Sequence, residues 1–254
     1  MTHLLTPEGL LSLKRLAVLP SLLAFDVDGT LAPMVQHFAD AKVPLHTSGL
    51  LSRLSLVWPV AILTGRSVGD ATDRLGFTPQ YLFGNHGAER ADHSVSNVKS
   101  KELNRYREFL HQYADEFTAR KILLEDKGLS LALHYRLSEN SVQSCLWLRS
   151  IIDPMPKNMT ATYGHQVINI LVANAPDKGD ALLSAMQDCG AVSALVVGDD
   201  DNDEPAFFKA PNSAVTVRIG PSGVNTCARF RLSTQVEIDA VLTALCRLKI
   251  PNLT

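Results

Sequence analysis

Apolar residues along the chain fall into two alternating patterns. Short unbroken runs at Leu22-Leu23-Ala24-Phe25, Val60-Ala61-Ile62-Leu63, Tyr81-Leu82-Phe83 and Ala194-Leu195-Val196-Val197 have the length of strands buried on both faces. Between them the spacing turns helical: over 47–57, in a helix that Ser67 caps and that runs through Leu75, in one opened by Asp177-Lys178-Gly179-Asp180, and in a last one from Val236 to Leu248. A further strand is predicted from Ala214 to Ile219, and a loop at Pro221-Ser222-Gly223. Strands alternating with helices give a parallel sheet covered on both faces, and such sheets bind ligands beyond the carboxyl ends of their strands. The polar residues gather at those ends: Asp26-Val27-Asp28-Gly29-Thr30, Thr64-Gly65-Arg66-Ser67, Gly84-Asn85-His86-Gly87-Ala88-Glu89, and Asp199-Asp200-Asp201-Asn202-Asp203-Glu204.

The middle of the chain follows a different logic. After a polar, turn-forming stretch from Asp92 to Ser100, the residues Leu103, Tyr106, Leu110, Tyr113 and Phe117 recur at helical spacing. Strand-like runs at Lys121–Glu125 and Leu129–Arg136 pair through Asp126-Lys127-Gly128. Ser138 then caps a helix through Ile152 that Pro154 and Pro156 end, and a second hairpin joins Met159–Tyr163 to Gln166–Val172 across Gly164-His165. Helix, hairpin, helix, hairpin describes an α+β unit inserted at 93–173 into an α/β domain formed by 1–92 and 174–254, with Ala173-Asn174-Ala175-Pro176 as the hinge back.

Composition narrows the function. With 254 residues and a formal net charge of −2, the chain has no basic run, which argues against nucleic acid or an anionic membrane as partner. No apolar stretch has the length of a membrane span, and the start of the chain lacks the order of a signal peptide. Cys145, Cys189, Cys227 and Cys246 are widely spaced, which suggests neither a zinc site nor a disulfide framework, so a cytoplasmic location is expected.

The chemistry begins with spacing. Residues i and i+2 of a strand project to one side, so Asp26 and Asp28 leave the strand aimed at one point, where such a pair can hold a hard cation or attack. The alternative is an Asx turn at the strand end. Five acids between Asp199 and Glu204 could be a solvated helix start, but beside Asp26 and Asp28 they concentrate negative charge that a cation must offset. Mg2+ fits best, being held by one or two carboxylates together with a substrate phosphate. Lys178 and the Thr64 hydroxyl suit phosphate oxygens, and the parts together point to phosphoryl transfer. Arg66 either binds the phosphate or pairs with a nearby acid; Glu89 either contacts substrate or holds the hinge; His86 and His134 read as structural.

In this order, Asp-Val-Asp-Gly-Thr at 26–30, Thr64, Lys178 and Gly-Asp-Asp-Asp-Asn-Asp at 198–203 resemble the motifs of the haloacid dehalogenase superfamily of phosphatases. The resemblance implies a Rossmann-like parallel core with an inserted α+β cap domain. It implies Asp26 as nucleophile through an aspartyl-phosphate, and Asp28 as acid and then base. It further implies Asp26, the Asp28 carbonyl and Asp199 as magnesium ligands, with Asp200 or Asp203 behind them. More narrowly, Leu-Thr-Gly-Arg-Ser at 63–67, Gly-Asn-His-Gly-Ala-Glu at 84–89, the stretch 124–136 and Asp-Lys-Gly-Asp-Ala at 177–181 are similar to the trehalose-6-phosphate phosphatases. That resemblance implies Glu125 and Lys127 as contacts to sugar hydroxyls, and it makes Arg66, Asn85, His86, Glu89, Arg136 and Asn169 further candidates for substrate binding. Asn169 is a departure, standing where the family usually carries a glutamate followed by Ile-x-Pro. The expected activity is hydrolysis of trehalose 6-phosphate to trehalose and phosphate, by a monomer or weak dimer acting on a small-molecule sugar phosphate. The rivals are another glycosyl phosphate as substrate, a phosphomutase, or an inactive sugar-phosphate sensor.

Overall fold

The computed structural model describes residues 1–92, 101–153 and 155–250, so the predicted turn-forming stretch at 93–100 and Pro154 lie outside the described residues. The chain divides into two compact units, Met1–Ser94 with Pro176–Thr254, and Val95–Ala175. The first begins with β1 (Thr2–His3), α1 (Pro7–Val18), β2 (Ser21–Phe25), α2 (Leu45–Leu54), β3 (Val60–Leu63), α3 (Val68–Leu75), β4 (Tyr81–Gly84) and β5 (Glu89–Arg90). The second holds α4 (Lys101–His111), α5 (Ala114–Ala119), β6 (Leu123–Asp126), β7 (Ser130–His134), α6 (Ser141–Ile152), β8 (Met159–Gly164) and β9 (Val167–Val172). The first then resumes with α7 (Lys178–Cys189), β10 (Ser193–Gly198), α8 (Glu204–Lys209), β11 (Val215–Ile219), β12 (Phe230–Leu232) and α9 (Ile238–Lys249).

Strands without polar interruption need cover on both faces, and the first unit supplies it. Its sheet has the order β1-β12-β11-β10-β2-β3-β4-β5, parallel throughout except for the β4–β5 pair. Alternate residues of each strand enter different cores. Leu23, Phe25, Ile62, Leu195 and Val197 pack with Leu13 and Leu16 of α1, Leu51 and Leu54 of α2 and Leu242 and Leu245 of α9. Leu22, Ala24, Ala61, Leu63 and Val196 pack with Leu182 and Ala185 of α7 and Phe207 of α8. The register sets Phe25 opposite both Val197 and Ile62, so β2, β3 and β10 end nearly flush and the residues after them emerge along one edge.

The second unit is an antiparallel sheet, β6-β7-β9-β8, with one face dry. Leu131, Leu133, Ile168, Ile170 and Met159 point to the helices and meet Leu103, Tyr106 and Leu110 of α4, Phe117 of α5, and Leu148 and Ile152 of α6.

Local details depart from the pattern reading in four places. The periodic stretch 103–117 is broken into α4 and α5. Helix α6 is capped by Asn140, whose Oδ1 accepts from the Gln143 N–H at 3.0 Å, because the Ser138 hydroxyl instead donates to the Arg120 carbonyl at 2.8 Å. The second hairpin turns at His165-Gln166, one residue later than expected, since Gly164 still pairs with Val167 and Gln166 takes the left-handed φ of 58°. Helix α1 and strand β12 had no pattern strong enough to predict them. Pro7 interrupts nothing in α1, because it sits at the helix start where its missing N–H costs no bond.

Leu23 is fully buried in the central strand of the larger sheet. Leu23→Ala is expected to lower unfolding free energy by about 2–5 kcal/mol, read as a lower urea midpoint at unchanged m-value.

Candidate active site

Asp26 is the first residue beyond β2, held by its N–H to the Val197 carbonyl at 3.0 Å, with a side chain only 9% exposed. Lys178 opens α7, behind a cap in which the Asp177 carboxylate accepts from the N–H groups of Gly179 and Asp180. Its buried ammonium donates to Asp26 Oδ1 at 2.8 Å and to Asp203 Oδ1 at 2.7 Å. The other oxygen of Asp203 accepts the backbone N–H groups of Asp199 at 2.9 Å and Asp200 at 3.0 Å, so this acid fixes the turn that follows β10 as well as the lysine. Two glycines make the crowding possible. A Cβ on Gly198 would collide with the Asp203 carboxylate, and one on Gly29, where φ is +79°, with the Asp199 carboxylate.

Asp26, Asp199 and Asp203 each bring a carboxylate oxygen within 4.8 Å of the others. Burial pushes Asp26 up to about 7; Asp203 and Asp28 push the same way, and Lys178 opposes them. Burial first, then Asp26, Asp203 and Asp200, hold Asp199 well above the ordinary carboxylate range. Burial alone would lower Lys178, but Asp203 and Asp26 outweigh it and hold the ammonium above its ordinary range. Three carboxylates around one ammonium leave an excess of negative charge, and oxygen donors at this spacing suit a hard divalent cation. Asp26 and Asp199 have the oxygens to offer it, whereas both oxygens of Asp203 already accept hydrogen bonds. Thr30 closes the cluster, its hydroxyl 3.4 Å from Asp199 Oδ1.

At the neighbouring strand end, Thr64 is fully buried and its Oγ1 accepts from the Arg66 N–H at 3.2 Å, leaving its own O–H to donate. Arg66 grips Asp28 in a fork, Nε to Oδ2 at 2.6 Å and Nη2 to Oδ1 at 2.7 Å, and also donates to Asp70 and to the Phe38 carbonyl. Of the two roles open to Arg66, the geometry displays pairing with acids. Glu89 Oε2 accepts from Asn85 Nδ2 at 2.7 Å and from the Val68 N–H at 2.9 Å, tying the 84–89 turn to the start of α3. Asn85 and His86, both buried, take left-handed φ values of 48° and 60° in that turn.

The other candidates belong to the second unit. Register places Glu125, Ala132, Asn169 and Thr162 side by side across all four strands, on the face opposite the helices. Glu125 Oε2 lies 2.8 Å from His134 Nε2 and 3.7 Å from Lys127 Nζ, and Asn169 is buried in the same row. Arg136, beyond the end of β7, donates to the His165 carbonyl at 3.1 Å. Asp70 and Arg74, not among the residues expected from the sequence, join this network through Arg66. Their signal was an acid and a base four residues apart on a helix that starts just after Arg66.

Among the described residues no helix is long and apolar enough to cross a membrane. The family model for trehalose-phosphatase matches residues 24–230. A protein of Sinorhizobium fredii described as "probable trehalose-phosphate phosphatase" is 30% identical over 241 residues, covering 90% of this chain and 88% of the relative. The trehalose-phosphate phosphatase of Mycobacterium avium is 28% identical over 193 residues, covering 72% of this chain and 49% of its own length. Among solved structures, the C-terminal domain of Candida albicans trehalose-6-phosphate phosphatase superposes with a TM-score of 0.81 at 21% identity, covering 94% of this chain and 95% of that one. Two core acids from the turns after β2 and β10 joined by a buried lysine, on a haloacid dehalogenase fold, accompany a sequence match that spans both units, and the chain belongs to the trehalose-phosphatase family.

Proposed function

We propose that the protein hydrolyses trehalose 6-phosphate to trehalose and phosphate through an aspartyl-phosphate on Asp26, with magnesium bound by Asp26, the Asp28 carbonyl and Asp199. The observation that carries this reading is the buried contact of Lys178 with Asp26 beside Asp199. Magnesium would supply positive charge to the phosphoryl oxygens and favour the ionised form of the acids around it. That second effect matters because a carboxyl raised to about 7 is only about half ionised at neutral pH, and its protonated form attacks poorly.

In the first step a carboxylate oxygen of Asp26 bonds to phosphorus while the bond from phosphorus to the sugar oxygen breaks. Asp28 gives its proton to that oxygen, and trehalose leaves. In the second step Asp28 takes a proton from water, the water oxygen bonds to phosphorus, and the bond to Asp26 breaks. Phosphate is released and the Asp26 carboxylate returns. Lys178 and the Thr64 hydroxyl offset charge on the phosphoryl group, and Asp203 with Asp200 braces the cluster. Glu125, Lys127 and Asn169 would recognise sugar hydroxyls, supported by the common face of Glu125 and Asn169 on the smaller sheet and by the Lys127 ammonium 3.7 Å from Glu125. Asn169 supports a second reading, hydrolysis of a different glycosyl phosphate, because an amide offers both donor and acceptor where a carboxylate only accepts.

The metal reading has a pH signature. In metal-free protein Asp26 moves from 3.8 unfolded to about 7 folded, and Asp199 moves the same way. The folded state then binds more protons across that window, so thermal stability should fall as pH rises from about 4 to about 7. Magnesium should raise the melting temperature at the upper end and much less at the lower; an equal effect at both ends would count against these ligands. Asp26→Asn should lower phosphate release by more than about 10³-fold with an unchanged circular dichroism spectrum. Replacing Glu125 and Lys127 together by alanine should lower kcat/KM for trehalose 6-phosphate about 10²-fold further than for p-nitrophenyl phosphate. A parallel fall for both substrates would remove sugar recognition from this face.

A further inference from the structure

Asp28 is the partly exposed member of the acid pair, with about a third of its side chain open to solvent (34%), yet its carboxylate plane is fixed by a buried guanidinium. A short carboxylate on a turn has two free torsions, and a planar fork meeting both oxygens removes them in a way a point charge does not. Arg66 is itself locked. Four of its N–H bonds are used, two on Asp28, one on Asp70 and one on the Phe38 carbonyl, which leaves little for a phosphate. Asp70 is held in turn by Arg74, Nε at 3.0 Å and Nη2 at 2.6 Å from Oδ1, and Arg74 reaches the carbonyls of Ala39 and Ala41. The charges alternate from Asp28 through Arg66 and Asp70 to Arg74. The chain of contacts ties the turn after β2 to the first helical turns of α3 and to the 3-10 turn at Phe38–Asp40.

We infer that Arg66 is a positioning residue, whose fork takes one in-plane position on each Asp28 oxygen and leaves the other to carry the proton, aimed at the leaving oxygen, and that Asp70 with Arg74 holds Arg66 in that pose. The inference rests on the role of Asp28 as proton donor given above. It separates two kinds of leaving group. A sugar alkoxide needs the proton of Asp28 as its bond to phosphorus breaks, whereas nitrophenolate leaves without one. Misdirecting Asp28 therefore slows the first step for a sugar phosphate, and for an aryl phosphate slows the water step alone.

The experiment compares Arg66→Lys, which keeps the charge and loses the fork, with Asp70→Asn, which touches neither Asp28 nor the phosphoryl site. Trehalose 6-phosphate and p-nitrophenyl phosphate are the probes, and magnesium is present throughout. For Arg66→Lys, kcat on trehalose 6-phosphate should fall about 10- to 100-fold with KM within about threefold of wild type. With p-nitrophenyl phosphate it should retain a rapid release of nitrophenolate equal to the enzyme present, followed by a steady phase slower than wild type's. Asp70→Asn should shift the same quantities in the same sense by a smaller factor, at least about threefold in kcat, and it carries the test if Arg66→Lys does not fold. A raised KM at unchanged kcat would make Arg66 a phosphate ligand and overturn the inference. Loss of the rapid phase in step with the sugar phosphate rate would mark a merely structural role and overturn it too. Asp28→Asn, run alongside, should show the same separation of the two substrates in stronger form. If it does not, the role assigned to Asp28 fails, and the inference with it.

Discussion

The site depends on one buried ammonium. Lys178 is almost wholly excluded from water, and a lysine can stay charged there only if acids face it closely enough to repay its lost hydration. Asp26 and Asp203 do so, from 152 and 25 residues away in sequence. The requirement is mutual, because the same burial would neutralise the acids if the ammonium were absent. Much of the local backbone follows from it. Asp203 spends its second oxygen on the turn after β10, Asp177 caps the helix that projects the lysine, and Gly29 and Gly198 leave room for carboxylates that any side chain would displace.

Strand ends were easy to read in the sequence, and turns and pairings were not. Asp26, Thr64 and Asp199 could be placed because each follows an apolar run too short for a helix, and parallel strands in register deliver such residues to a single edge. Ser67 was legible as a cap, and its oxygen accepts from the Asp70 N–H at 3.3 Å. Ser138 was misleading, since a serine and an asparagine two residues apart are equally good caps locally and only the Arg120 carbonyl decides between them. The role of Arg66 stayed open for a similar reason. No spacing rule connects it to Asp28, thirty-eight residues earlier, whereas the i, i+4 relation of Asp70 to Arg74 is visible in the sequence but by itself describes only a helix-surface pair.

The two units solve different problems with different sheets. The larger one buries both faces of its parallel strands and offers chemistry at the strand ends, where backbone turns can be shaped residue by residue. The smaller one buries one face against its helices and carries polar side chains in a row on the other, where spacing is set by strand pairing rather than by turns. A substitution such as asparagine for glutamate at position 169 changes one member of that row without disturbing the pairing.

The edges of the larger sheet have a bearing on how copies of this chain meet. On one side it ends in β1 and on the other in β5, each two residues long, and β5 runs antiparallel to its neighbour. Stubs of this length expose few unpaired N–H and C=O groups, so among the described residues neither margin offers a template on which a foreign strand could zip. Within this sheet, the long central strands that would otherwise seed cross-chain pairing stay shielded behind their own short neighbours.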